Sequence, residues 1–323
     1  MGTYLVTGAA GFIAARTCDL LLEAGHTVVG LDNLNDYYDV RLKEHRLGGL
    51  TSRPGFSFVR ADIEQPAALE PVFAAHRFDA VINLAARAGV RASIEHPQVY
   101  VTTNIMGTLH LLELLRRHGV KKFVLASSSS LYAGQPMPFT EDQPVNAPVS
   151  PYAATKKAAE MLAYSYHHLH GLDCSVLRYF TVYGPASRPD MGLLRFTRWI
   201  DDGQPIELFG DGSQARDFTH VDDIARGTIA ALRPLGYEII NLGGGRNPVT
   251  VSTLIAKLEV LLGKPALYDR KPFHAADLRE TWADISKAGR LLDWRPQVPL
   301  DEGLQQSVDW YRANRSWLRS MPF

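Results

Sequence analysis

Short apolar runs alternate with segments of helical period along most of the chain. Residues 3–7 (TYLVT) read as a strand, followed by a glycine turn and a helical pattern through Leu20, Leu21 and Leu22 to Gly25. Further strands are predicted over 27–31, 56–60, 80–84, 122–126 and 174–179. Between them, helices are predicted from Pro66, over 97–118 and over 152–169. The second of these repeats apolar residues at Val101, Ile105, Leu109, Leu112 and Leu115 and is stopped by Gly119. Strands alternating with helices at this spacing predict an α/β fold with a doubly wound parallel sheet, whose ligands gather at the carboxyl ends of the strands. After Tyr179 the alternation loosens into the turn-rich YGPASRPDMG and a mixed stretch over 195–214, which predicts a second, smaller lobe. A strand and helix are expected again from Arg216 to Asp223, returning to the large sheet, and helices over 254–262 and 300–312 as packing elements.

The polar residues at the strand ends give this pattern its chemistry. Gly8-Ala9-Ala10-Gly11 sits between the first strand and the first helix, and Asp32 ends the second strand. In that layout a helix N-terminus receives a pyrophosphate and the acid receives ribose hydroxyls, a Rossmann-like dinucleotide site. Asp32 argues for NAD over NADP, because a carboxylate repels a 2′-phosphate. Ala14 stands where the fingerprint's third glycine would be, a position that tolerates alanine. Ser150-Pro151-Tyr152-Ala153-Ala154-Thr155-Lys156 reads as a helix start, with Ser150 as N-cap and Tyr152 and Lys156 on one face. An ammonium beside a phenol favours the phenolate and makes Tyr152 a candidate base for a sugar hydroxyl. Ser127-Ser128-Ser129-Ser130 ends the fifth strand just ahead of that helix, which turns at least one hydroxyl toward a substrate. The run Gly243-Gly244-Gly245 is read as a plain connection and not as a second phosphate loop, since Pro248 and the spacing fit no nucleotide fingerprint. Residues 1–180 are therefore expected to bind NAD, with 217–245 returning to that domain, and 181–323 to form the substrate-binding lobe.

Composition narrows the classes left open. Lys plus Arg and Asp plus Glu both total 34, so no net charge draws the chain to nucleic acid or an anionic membrane. With 46% hydrophobic and 21% charged residues it reads as an ordinary globular protein. No basic n-region precedes MGTYLVTGAAGFIA and no run approaches the roughly 20 apolar residues of a membrane span, so a cytoplasmic location is the expectation. Cys18 and Cys174 fall inside apolar elements and are expected as buried free thiols, and the 11 scattered histidines suggest no metal site.

Gly8-x-x-Gly11, Asp32, the serine run, Tyr152-x-x-x-Lys156 and Arg216-Asp217 together resemble the extended short-chain dehydrogenase/reductases that act on nucleotide sugars, over essentially the whole chain. Within that superfamily DNLNDYYDVRLK, LAARAGVRASIEHP, SSSSLY, SPYAATKKAAE, RYFTVYGPASRPDMG and QARDFTHVDDI look closely like the UDP-glucuronate 4-epimerases. The departures are Ala14 for glycine, Arg87 where that family has glutamine, Ala133 after Tyr132, and Gly192. The resemblance implies that Ser128 and Tyr152 bond the sugar 4-hydroxyl, with Tyr152 as base and Lys156 also holding the nicotinamide ribose. It implies an NAD site lined by Gly8, Gly11, Phe12, Ile13, Asp32, Asn33, Asp62, Ile63, Leu84, Ala85, Ala86, Asn104 and Tyr179. Arg216, the residues at 206–209 and Asp277 would hold the uridine diphosphate. It further implies a homodimer in which the helices at 97–118 and 152–169 pair with their copies.

The implied reaction is an isomerisation of UDP-glucuronate and UDP-galacturonate: oxidation at C-4 to a 4-keto sugar, rotation, and re-reduction on tightly bound NAD. A 4-ketone β to the C-6 carboxylate readily loses carbon dioxide, so the site must fix the carboxylate's orientation. Ser129, Ser130 and Thr181 are suitable donors, each such charged hydrogen bond contributing ~1.5–3 kcal/mol. Related epimerases of neutral sugars tend to carry asparagine at the position of Thr181, which makes Thr181 the residue most specific to a uronic acid. Arg188 is a candidate for either the carboxylate or the diphosphate, or a solvated loop arginine. The competing readings are a UDP-glucuronate decarboxylase or another nucleotide-sugar epimerase on the same scaffold, a 4,6-dehydratase, and a non-catalytic dinucleotide-binding regulator. The dehydratase lacks its acid/base pair, since Ser129 and Ser130 cannot transfer that proton, and a regulator needs no tyrosine base.

Overall fold

The structure, a computed structural model, describes residues 1–245, 248–273 and 278–322. Six strands arise in the first part of the chain: β1 (Thr3–Thr7), β2 (Thr27–Asp32), β3 (Phe56–Arg60), β4 (Ala80–Asn83), β5 (Lys122–Ser128) and β6 (Asp173–Tyr179). With the later strand Tyr237–Leu242 they form one seven-stranded sheet in the order Tyr237–Leu242, β6, β5, β4, β1, β2, β3, with every neighbour parallel. β4 and β5 are buried at every position, as apolar strands covered by helices on both faces must be. One face packs on the helices Phe12–Glu23 and Val221–Ala230 through Cys18, Leu21 and Ile224, the other on Gly107–His118 and Pro151–His170 through Leu111, Leu115, Ala159 and Ala163. The chain turns outward from β1 on both sides, to β2 and to β4, so a crevice opens at their carboxyl ends. A separate core beneath the later helices joins Leu193, Ile200, Ile206, Leu208, Leu258, Leu304 and Val308.

Two expectations are corrected and one unmarked helix is added. The single helix over 97–118 is divided: an α-turn at Pro97–Tyr100, a π-helical stretch Val101–Met106, and an α-helix Gly107–His118. β-Branched Val101, Thr102 and Thr103 weaken α-helical packing, and the wider turn brings Asn104 inward to bond distant backbone. The strand after Arg216 does not return to the large sheet. Phe218–His220 pairs with Thr181–Tyr183 in a small parallel ladder, and the strand that joins the large sheet is Tyr237–Leu242. Finally, Val40–Thr51 is a helix capped by Asp39, which the sequence pattern did not mark because Lys43, Arg46 and Gly48-Gly49 interrupt its apolar face.

Cys18 and Cys174 are free and buried, and burial pushes the Cys174 thiol up to about 12. Among the described residues no helix is long and apolar enough to cross a membrane.

Behind the carboxyl ends of β5 and β6 lies a buried charge pair. Glu160, 0% exposed, accepts Arg178 Nε at 2.9 Å and Nη2 at 2.8 Å, and Ser127 Oγ at 2.6 Å. Arg178 Nη1 donates to Tyr132 Oη at 2.8 Å, and that hydroxyl donates to Asn241 Oδ1 at 2.8 Å. The network thus ties the Pro151–His170 helix to β5, β6 and the last strand. Replacing Arg178 by Met leaves the Glu160 carboxylate buried without its counter-charge and should lower unfolding free energy by ~3–5 kcal/mol. Denaturant titration checks this: the double variant Arg178→Met/Glu160→Gln should recover part of the loss, and a small effect of the single variant would mean the pair does not anchor the helix.

Candidate active site

The Gly8–Gly11 turn exists because no side chain fits it. Gly8 has φ +71°, and a Cβ there would lie 2.8 Å from the backbone nitrogen of Ala85. Gly11 is the N-cap of Phe12–Glu23 and supplies no side-chain cap, so the first helical N–H groups remain available for an anion. Asp32 is buried at the end of β2, with Oδ2 accepting Ala10 N at 3.1 Å and Oδ1 accepting Leu34 N at 2.8 Å. Those bonds aim its carboxylate into the crevice. Asn33 Nδ2 donates to Asp62 Oδ2 at 2.7 Å, and Asp62 Oδ1 accepts Glu64 N at 2.9 Å. With Phe12, Ile13, Ile63, Leu84, Ala85, Ala86 and Tyr179 these residues line one cavity of ~790 Å³. The Tyr179 hydroxyl shares a hydrogen bond of 2.7 Å with Thr228 Oγ1. A glycine cradle, a preset acid and an apolar wall fit a dinucleotide.

Asn104 does not line that cavity and stands one layer behind it. Its Oδ1 accepts Arg87 N at 2.9 Å, and its Nδ2 donates to Arg87 O and to Thr155 Oγ1, both at 3.0 Å. It therefore clamps the loop after β4 to the Tyr152 helix. Sequence reasoning gave no role to Lys43 and Tyr37, which do face the cavity. Lys43 Nζ donates to Asn35 O at 2.7 Å, and the Tyr37 hydroxyl to Ala88 O at 2.6 Å. Both lie within the stretch DNLNDYYDVRLK, which was their only signal.

The same cavity continues past the Pro151–His170 helix. Ser150 Oγ caps Ala153 N at 3.2 Å and Pro151 takes the first turn, which sets Tyr152 and Lys156 against the serine run. Lys156 Nζ donates to Ala126 O at 2.9 Å; burial pulls its pKa down to about 8, opposed by the charge of Glu160. The Tyr152 phenol is raised above its ordinary value, chiefly by burial; a hydrogen bond from Ser128 and the charge of Arg188 pull the other way. Desolvation is thus the largest influence on the phenol, and the Lys156 ammonium beside it is engaged on a backbone carbonyl. Ser128 Oγ donates to Ser130 Oγ at 3.1 Å and caps the turn Ser129–Tyr132. Ser127, Ser128, Ser129, Ser130 and Thr181 all line the cavity with Tyr152, and the Ser127 hydroxyl is spent on Glu160.

Arg188 is not a solvated loop residue. It faces the cavity, lies 5.8 Å over the Tyr37 ring, and donates from Nε to Asp190 Oδ1 at 2.9 Å. Arg216 lines the far end with Glu207, Leu208 and Phe209, and the Arg91 guanidinium lies 3.9 Å over the Phe209 ring. Ile206, expected beside them, is fully buried in the second core on the same strand face as Leu208, while Glu207 and Phe209 point to the other side. Asp277 lies outside the described residues.

Comparisons with known proteins agree with this geometry. The profile of the NAD dependent epimerase/dehydratase family matches residues 4–243. A UDP-glucuronate 4-epimerase of Thermodesulfobacterium geofontis is 59% identical over 321 residues, covering 99% of each chain. The crystal structure of UDP-glucuronic acid 4-epimerase from Bacillus cereus in complex with UDP-glucuronic acid and NAD superposes with a TM-score of 0.91 at 38% identity, over 97% of this chain and 99% of that one. A UDP-glucose 4-epimerase of Thermotoga maritima, solved with UDP-glucose, gives 0.87 at 33% identity, over 97% and 99%.

Because burial outweighs Ser128 and Arg188, the Tyr152 phenol in cofactor-stripped protein should ionise above its ordinary 10.0. The near-ultraviolet difference titration of the wild type against Tyr152→Phe reads that step directly. A phenolate appearing on the acid side of 10.0 without cofactor would restore Lys156 as the activating group.

Proposed function

The chain belongs to the NAD dependent epimerase/dehydratase family, and from that premise we propose that it interconverts UDP-glucuronate and UDP-galacturonate by inversion at C-4. The observation that carries this reading is the convergence, in one continuous cavity, of Tyr152 and Lys156 with four hydroxyls, Ser128, Ser129, Ser130 and Thr181. NAD, for which the Gly8–Gly11 cradle and Asp32 are fitted, supplies the acceptor and then the donor of a hydride at C-4, so no net oxidation occurs. The chain's residues then handle protons, orientation and charge. Tyr152 holds the proton of the 4-hydroxyl and returns it, with Ser128 as its hydrogen-bonded partner. Lys156, which donates to Ala126 O, would also hold the nicotinamide ribose.

The hydroxyls of Ser129, Ser130 and Thr181 take the C-6 carboxylate. Their task is angular: scission of a β-keto acid needs the breaking bond aligned with the carbonyl π system, and fixed donors keep it out of that alignment. Arg188 lines the same cavity and its charge reaches the Tyr152 phenol, which supports a place near the sugar and its carboxylate. Arg216, with Glu207, Leu208 and Phe209 around it, suits the diphosphate and uridine. Residues 1–180 together with 217–245 then serve the cofactor, and the remainder of 181–323 the nucleotide sugar.

A second copy of the chain is the partner this reading implies. Val101 and Met106 on one helical segment, and Met161, Tyr164 and Leu169 on the Pro151–His170 helix, are exposed apolar side chains on the two segments expected to pair.

Purified protein incubated with UDP-glucuronate and no added NAD should yield an isomer of unchanged mass, identified by sugar-ring NMR. Tyr152→Phe should fold and retain NAD yet lose nearly all turnover, and Thr181→Ala should raise the share of decarboxylated product. Loss of carbon dioxide as the main outcome with the native chain would falsify the epimerase reading. Light scattering should give twice the chain mass, and Met161→Glu should shift it to the single-chain mass; a native monomer would remove the interface.

A further inference from the structure

Arg46 lines no part of the catalytic cavity, yet it is 7% exposed and all five of its N–H groups are used. Nη1 donates to Ala10 O at 3.1 Å and to Tyr38 Oη at 2.7 Å. Nε and Nη2 donate to Ala186 O at 2.9 and 2.7 Å, and Nη2 also to Ser187 O at 3.2 Å. Among the described residues no carboxylate pairs with it, and burial lowers its pKa, with Tyr38 and Asp32 opposing. A buried guanidinium without a counter-ion is costly, so its hydrogen bonds must supply the compensation. They go to three separate segments: the Gly8–Gly11 turn, the loop before the Val40–Thr51 helix, and the turn that leads from the Thr181–Tyr183 strand to Arg188.

Each of those segments ends in a residue of the cavity. Ala10 lies between the two cradle glycines and donates its own N–H to Asp32. Tyr38 follows Tyr37, whose ring lies 5.5 Å from the Arg87 guanidinium and 5.8 Å from that of Arg188. Ala186 sits at φ +56°, a left-handed conformation strained for alanine and held by two bonds to its carbonyl, and two residues later Arg188 enters the cavity.

Resting on the epimerase reading, we propose that Arg46 is a positioning residue that locks the cofactor turn to the Arg188 turn, so that one side chain touching neither ligand sets both cofactor retention and nucleotide-sugar affinity. Lysine cannot replace it, because an ammonium has three donors and no planar fork to span three carbonyls. The experiment compares wild type, Arg46→Lys, Arg188→Ala and the double variant for melting temperature, NAD retained through purification, and KM and kcat with UDP-glucuronate. Arg46→Lys should keep a cooperative melt, lose bound NAD, and raise KM ~10-fold or more with a smaller change in kcat. In the Arg188→Ala background the same substitution should raise KM by less than ~2-fold, because coupled sites are not additive. Tyr38→Phe, which orphans a single Arg46 N–H, should move both readouts the same way by less, and it decides the matter if Arg46→Lys does not fold. Equal KM effects with and without Arg188, or NAD retention unmoved in the folded variants, would overturn the proposal. Failure of the wild type to turn over UDP-glucuronate would instead sink the functional reading, with NAD retention still testing the lock on the cofactor side.

Discussion

The active-site cavity depends on the ion pair between Glu160 and Arg178. Tyr152, Lys156 and Glu160 follow one another at four-residue spacing on the Pro151–His170 helix, so one face carries the base, the ammonium and the buried anion. Arg178 meets that anion one residue before the end of β6, immediately ahead of Tyr179 and Thr181 in the cavity. Desolvating two charges is offset only when geometry and extra bonds are good, and here Ser127, Tyr132 and Asn241 complete them. The pair therefore serves as a register pin: it sets how far along the sheet the helix sits and hence how Tyr152 faces Ser128. It also supplies the field that partly offsets the burial of Lys156.

Around that pin, positive charge is kept in place by rings and carbonyls as well as by acids. Arg87 and Arg188 lie 5.5 and 5.8 Å from the Tyr37 ring, Arg178 over Tyr132 at 4.8 Å, and Arg91 over Phe209. Arg178 and Arg188 also pair with the carboxylates of Glu160 and Asp190, so the rings add orientation to guanidiniums whose charge is already shared. This suits a cleft that takes a pyrophosphate, a second diphosphate and a uronic acid in one continuous space.

The parts of this site legible in the sequence are those whose meaning is local. Gly8, Gly11 and Asp32 were readable because one βαβ unit brings them together, and Tyr152 with Lys156 because a single helical turn does. Thr181 and the serine run were placed by lying at strand ends. What escaped was set by tertiary packing. The π-helical stretch at Val101–Met106 answers the need of Asn104 to clamp Arg87, a contact that no periodicity announces. Ile206 falls inward because its strand face packs on the second core, a partner the local sequence does not name. The phenol of Tyr152 is raised chiefly by burial, so the pairing with Lys156 was visible while the depth at which the pair is buried was not. Arg46 looked like one more polar residue on a weakly patterned helix, since its partners are carbonyls up to 141 positions away.

The last strand of the large sheet, Tyr237–Leu242, is separated from β6 by the segment that carries Thr181, Arg188 and Arg216. On the ribosome, the sheet that receives the cofactor is therefore still incomplete when β6 emerges, with the hydrogen-bonding edge of Cys174–Tyr179 unpaired until the nascent chain has passed Leu242. Asn241, which satisfies Tyr132 and through it Arg178, arrives with that same strand. Completion of the sheet thus follows synthesis of the turns that carry Thr181, Arg188 and Arg216, and the vulnerable interval for the growing polypeptide is the one in which those turns are being made.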